Sequence, residues 1–93
     1  MRFEFDPNKS ASNKIKHGLD FVEAQALWKG GRLRVPAKTM EGEVREALIG
    51  KIGGKHHTVM VTYRGDACRI ISARPSSKTE IANYETASKK PKS

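Results

Sequence analysis

The side chains best suited to chemistry are His17, His56, His57, Arg69, Arg74 and Tyr84. A histidine can give or take a proton near neutral pH, and an arginine can hold a phosphate. Together these types suit metal-free cleavage of RNA, which carries its own nucleophile in the 2′-OH. The protein then has three tasks: remove that proton, stabilise the crowded phosphorus centre and protonate the leaving oxygen. Arg or Lys serves the second task, and His, Tyr, Glu or a perturbed Lys the others. His17 falls in the last turn of an expected helix, where it is either a proton carrier or a charge that complements the helix dipole. His56 and His57 flank a hairpin turn, His57 in the apolar register and His56 on the exposed one. Arg69 and Arg74 lie on opposite faces of one strand by parity, unless the strand bulges or ends between them. Arg74 precedes Pro75 and so sits at a strand end beside a helix start at Ser76–Ser77. That is either an anion site or an ion pair with Glu80 or Glu85. Tyr84 is either a core anchor with a polar tip or a catalyst.

Other chemistries find little support. There is no phosphate-cradling Gly-rich loop before a helix, no G-x-S-x-G and no H-E-x-x-H. The single cysteine, Cys68, excludes an internal disulfide framework and reads as a small buried hydrophobe. One Cys and three His, two of them adjacent, make a poor zinc set. With 93 residues the chain has no room for a cofactor domain beside a substrate domain, and no cofactor is expected. Mean hydropathy is −0.64 and no apolar run is long enough to span a membrane. The opening MRFEFDPNKS lacks the apolar stretch of a signal peptide and reads as a cytosolic start. Charge is the strongest compositional signal: 18 Lys and Arg against 10 Asp and Glu give a net charge of +8. The excess recurs in Lys9/Lys14/Lys16, Arg32/Arg34/Lys38 and Arg64/Arg69/Arg74, so it belongs to folded segments and asks for an anionic partner.

The elements that must position these groups follow from periodicity and punctuation. Phe3 and Phe5 alternate with charges in a short strand. Asp6 caps a helix over Pro7–His17 that Gly18 ends, with Ala11, Ile15 and the following Leu19 on its apolar face. Asp20 and Glu23 form a capping box for a second helix, with Phe21, Ala24, Leu27 and Trp28 on one face and Gly30-Gly31 as its stop. The two helices make a tight hairpin. Arg32–Val35 is a strand that Pro36 either ends or marks as an edge, and Lys38–Glu43 is a polar loop. Val44–Ile52, His56–Arg64 and Cys68–Ala73 are strands joined by Gly53-Gly54 and Gly65-Asp66, hence an antiparallel meander. A second capping box, Ser77 with Glu80, opens a last helix to about Ser88, on which Ile81 and Tyr84 share a face. The expectation is one α+β domain over residues 1–88, with a helical hairpin and C-terminal helix on an antiparallel sheet, and a basic disordered tail at 89–93.

Several segments taken together are similar to a known family. These are Phe3-Glu4-Phe5-Asp6, Lys9, Asn13, Lys16-His17-Gly18, Phe21 with Glu23-Ala24, Gly42-Glu43, Arg45, Ile49-Gly50, the run Arg69-Ile70-Ile71-Ser72-Ala73-Arg74, and finally Glu80 and Tyr84. In order and spacing, over roughly residues 1–86, they resemble the BrnT toxins of bacterial type II toxin–antitoxin systems. The resemblance implies a RelE-like fold and a cytoplasmic endoribonuclease that cleaves RNA without a metal and so inhibits translation. It also implies a partner antitoxin of the BrnA kind, whose ribbon-helix-helix dimer binds operator DNA, so that DNA is met only through the antitoxin. It carries over His17, Arg45, Arg69, Arg74 and Tyr84 as catalytic candidates and Lys9 and Lys16 as RNA contacts. The chain departs from the family in Phe5, where Trp is usual, in Pro75-Ser76 after Arg74, and in a last helix poorer in Arg. The alternatives are a non-catalytic RNA- or protein-binding module and a co-repressor within a DNA-bound complex.

Overall fold

The computed structural model describes residues 1–40 and 42–89. Its elements are β1 (Arg2–Glu4), α1 (Pro7–His17), a 3₁₀ helix (Glu23–Lys29), β2 (Arg32–Met40), β3 (Glu43–Ile52), β4 (Lys55–Arg64), β5 (Ala67–Pro75) and α2 (Lys78–Lys89). The class is α+β, as expected. One five-stranded sheet runs β1-β5-β4-β3-β2. The last four strands are the predicted antiparallel meander, but β1 pairs with β5 in parallel, so the sheet is mixed. Of the expected tail, all beyond Lys89 lies outside the described residues.

The local signals act through the bonds they predict. Asp6 accepts from the Asn8 N–H at 2.8 Å and Gly18 closes α1 at φ 73°. Asp20 accepts from the Val22 and Glu23 N–H groups, and Glu23 returns a bond from Asp20 N–H at 2.9 Å. The helix this box opens is 3₁₀ rather than α. It runs for seven residues before Gly30, longer than most 3₁₀ runs, with Ala24 and Leu27 buried against the sheet. The expected polar loop at Lys38–Glu43 is largely strand. β2 runs through Pro36 to Met40, because an edge strand tolerates a residue without an N–H.

One sheet face packs on Leu19, Phe21, Ala24 and Leu27 from the segment after α1, which meet Leu48, Val59, Val61, Ile70 and Ala73. Gly50 is required there: a Cβ would lie 2.9 Å from Leu27 Cδ1. Phe5 contacts Phe21 edge-on at 5.8 Å, so the departure from Trp falls at a packing position. Parity puts Thr58 and Arg74 on the other face, where both bond Glu80 of α2, so the helices lie on both sides of the sheet.

The expected apolar face of α1 is corrected. Ile15 is 87% exposed and Ala11 is exposed, while Ser10 and Asn13 are buried. This helix docks by hydrogen bonds. Ser10 Oγ accepts from Phe21 N–H at 2.9 Å. Asn13 Nδ2 donates to the Ala73 and Leu19 carbonyls at 2.7 Å each, and its Oδ1 accepts from Ala73 N–H at 3.3 Å. β1 pairs only with Ala67–Arg69, so past its end the Asn13 amide takes the place of a strand along β5. Replacing Asn13 with Ala would strand these buried backbone groups. Urea unfolding should show a loss of about 3 kcal/mol, whereas Ile15→Ala should change stability by less than about 0.5 kcal/mol.

Candidate functional site

A bulge in β5 decides which groups can act together. Met60 pairs with Ser72 but Val61 pairs with Ile70, leaving Ile71 as the extra residue. Without it Arg69 and Arg74 would face opposite ways. With it, Arg69 opposite Thr62 and Arg74 opposite Thr58 share the face that α2 partly covers. Arg45 also pairs with Thr62, so Arg45, Thr62 and Arg69 form one row across three strands.

That row floors a cleft of about 200 Å³, which also takes in Asp6 and Lys9 from the start of α1, Glu43, Arg64, Ile70 and Ile71. The structure therefore brings together three predicted residues, Lys9, Arg45 and Arg69, and adds Arg64, Glu43 and Asp6. Four cations face two carboxylates here. The ion pairs around it are long: Arg45–Glu43 at 3.4 Å, Arg64–Glu43 at 3.5 Å and Arg69–Glu4 at 3.6 Å. None of these contacts is a short bidentate pair, and Arg64 at 58% exposure and Arg69 at 29% remain open to a phosphate. Glu43 and Arg64 join the group through the strand register, which brings the start of β3 opposite the end of β4, and Asp6 joins it as the cap of α1.

Arg74 lies elsewhere on this face. Thr58 and Thr62 are four residues apart on β4, about 13 Å. Arg74 makes a bidentate pair with Glu80 at 2.7 and 2.9 Å, and Glu80 also accepts from Thr58 Oγ1 at 3.0 Å and Ser77 N–H at 2.8 Å. Of the two readings open for Arg74, this geometry is the ion pair with Glu80, and it docks the first turn of α2. The Arg74 guanidinium, helped by the Ser77 and Thr58 bonds, holds the Glu80 carboxyl down at about 2.

Tyr84 is half-buried further along α2. Its hydroxyl donates to Gly31 O at 3.4 Å, and its ring meets His56 edge-on at 5.4 Å. His56 is not exposed as expected: its side chain is 19% exposed, with Nε2 3.6 Å from Glu85 Oε2. His57 is buried in the apolar register, its Nδ1 3.0 Å from Lys55 O. Lys16 and His17 are exposed in the last turn of α1, about 10 Å along the helix from Lys9. Among the described residues no group of three or more His, Cys, Asp and Glu could hold a metal ion, and no helix is long and apolar enough to cross a membrane.

A small mixed sheet with a cationic cleft at its bulged strand offers a surface suited to a polyanion. Residues 5–80 match the sequence profile of a family described as the ribonuclease toxin, BrnT, of type II toxin–antitoxin systems. The chain belongs to that family and is a ribonuclease toxin, whose partners are an RNA substrate and an antitoxin. A comparison with curated proteins returned no match.

The Glu80 carboxyl titrates near 2 when folded and near 4.5 in its ordinary state. Its contribution to stability is therefore complete above about pH 4.5 and is lost as pH falls toward 2. Glu80→Gln should lower stability at pH 7 by about 1–2 kcal/mol, less than the full linkage value because Arg74 is 40% exposed. The variant should also flatten the dependence of urea midpoint on pH between about 4.5 and 2.

Proposed function

We propose that RNA is cleaved in the cleft between the start of α1 and the bulged β5. The observation that carries this reading is the single row Arg45–Thr62–Arg69 with Lys9 beside it. The scissile phosphate sits between the Arg45 and Arg69 guanidinium groups, which stabilise the added negative charge as phosphorus becomes five-coordinate. Glu43 accepts the 2′-OH proton, and the 2′-oxygen forms its bond to the adjacent phosphorus. The bond to the 5′-oxygen breaks and Lys9 protonates that leaving group. The products are a 2′,3′-cyclic phosphate and a 5′-hydroxyl. The nucleophile belongs to RNA and charge stabilisation to arginine, so the reaction calls for no metal.

The remaining candidates flank this centre. Tyr84 continues the same sheet face toward α2, and Lys16 and His17 continue the cationic edge of α1, so we assign these three to the RNA on either side of the cleaved bond, while Arg74 acts through its pair with Glu80 by docking α2. Family membership supports the finer reading as well: a RelE-like domain over residues 1–88, acting in the cytoplasm and held by a BrnA-like ribbon-helix-helix antitoxin that brings it to operator DNA. The continuity of one sheet from β1 to β5 supports the single domain.

Arg69→Ala should slow cleavage of single-stranded RNA about 100-fold or more, measured by gel assay on folded protein. Tyr84→Phe and His17→Ala should stay within about threefold of the parent, since neither touches the reacting atoms. EDTA should leave the rate unchanged. Parental cleavage by Arg69→Ala, or a collapse in Tyr84→Phe alone, would move the centre to α2. Binding that weakens steeply with salt without new RNA ends would instead mark a non-catalytic binder.

A further inference from the structure

The cleft stops at a rim where β3 begins and β4 ends. Glu43 and Arg64 stand on this rim, 3.5 Å apart. Immediately beyond it Val44 is 65% exposed and Tyr63 41% exposed. Alternation puts both on the sheet face opposite Arg45 and Thr62. The Val44 carbonyl accepts from Thr62 Oγ1 at 2.7 Å, which fixes the backbone that presents its side chain. Burial, with the Glu46 carboxylate nearby, pushes the Tyr63 phenol up to about 12, so the group stays uncharged and its ring is offered as apolar surface. The groove along Val44 and Tyr63 shares Glu43, Thr62 and Arg64 with the cleft.

Two properties of this joined surface select its occupant. One end presents the exposed Val44 and Tyr63 side chains, which suits an apolar aliphatic or aromatic side chain of a partner. The other end gathers Lys9, Arg45, Arg64 and Arg69 against Asp6 and Glu43, and its positive field suits carboxylates. A nucleic acid backbone matches only the second end, whereas an acidic, amphipathic polypeptide matches both.

We propose that this surface seats the antitoxin. A segment of it rests an apolar side chain on Val44 and Tyr63, crosses the rim, and places one or more carboxylates against Arg45, Arg64 and Arg69. This rests on the reading of the cleft as the RNA site. Neutralisation is then direct competition, with antitoxin carboxylates standing where RNA phosphate would sit.

The test uses the purified toxin and its cognate antitoxin. Fluorescence anisotropy measures binding at two salt concentrations, and RNA cleavage is measured on the same preparations. Val44→Asp should raise the Kd for antitoxin at least about tenfold and leave RNA cleavage and thermal midpoint unchanged. Ile15→Asp, on the exposed side of α1, should leave the Kd unchanged. Arg69→Ala should weaken antitoxin binding and reduce its salt dependence. A Val44→Asp toxin that is bound and silenced like the parent overturns the proposal. So does a free toxin dimer that Val44→Asp abolishes without changing antitoxin binding, because the surface then belongs to a second copy. Loss of RNA affinity in Val44→Asp with antitoxin binding intact overturns it in favour of RNA. If Arg69→Ala still cleaves RNA while Val44→Asp loses antitoxin, the cleft reading fails and the docking site stands.

Discussion

The side-chain amide of Asn13 is the constraint on which the site depends. β1 covers only the first part of β5, and beyond it the strand has an open edge. Asn13 closes that edge by taking both the N–H and the C=O of Ala73, and it also holds the Leu19 carbonyl where the chain leaves α1. A buried backbone group left unbonded costs more than a bonded one returns, so this three-way contact sets where the helix lies. Lys9 is one helical turn earlier, and from that anchor it reaches the cleft beside Ile70 and Ile71. The helix carries almost no apolar surface to the core. Its polar residues place Lys9 at the cleft and leave Ile15 in solvent.

The bulge at Ile71 adds the second constraint. An extra residue in β5 turns Arg69 and Arg74 to the same face, but the two then take different work. Arg69 stays in the cleft on a long pair with Glu4, and Arg74 is committed to Glu80 at short bidentate distances. The contrast is chemical. A tightly paired guanidinium docks a helix, and a loosely paired one can exchange its partner for phosphate. The same sheet face thus joins a structural clamp under α2 to a cationic cleft under the start of α1. Where the cleft meets the rim at Glu43 and Arg64, the exposed Val44 and Tyr63 begin on the opposite sheet face.

Much of this was legible in the sequence, because turn chemistry and capping act locally. Gly53-Gly54 and Gly65-Asp66 define the meander, and the boxes at Asp20/Glu23 and Ser77/Glu80 are present with the predicted bonds. The misses have one physical source, which is tertiary context. Ile15 follows helical spacing, yet the helix docks through Asn13, and no periodicity of hydrophobic residues reports a polar docking face. The parallel pairing of β1, the continuation of β2 through Pro36 and the 3₁₀ form of the second helix depend on neighbours distant in sequence. The site shows the same limit. Lys9, Arg45 and Arg69 were recognisable by type, but their grouping with Arg64 and Glu43 needs strand register. The bulge that unites the faces of Arg69 and Arg74 was a stated condition that only the pairing could meet.

In the proposed reaction the phosphate to be cleaved sits on the Arg45–Thr62–Arg69 row beside Lys9. The most direct measurement is an NMR titration of the toxin with a non-cleavable RNA carrying 2′-O-methyl groups, following the arginine side-chain N–H signals and the lysine ammonium groups. The largest shifts are predicted at Arg45, Arg69 and Lys9, with Arg74 retaining the signature of its pair with Glu80. Shifts concentrated at Arg74 and Tyr84, with the cleft signals unmoved at saturation, would contradict the account.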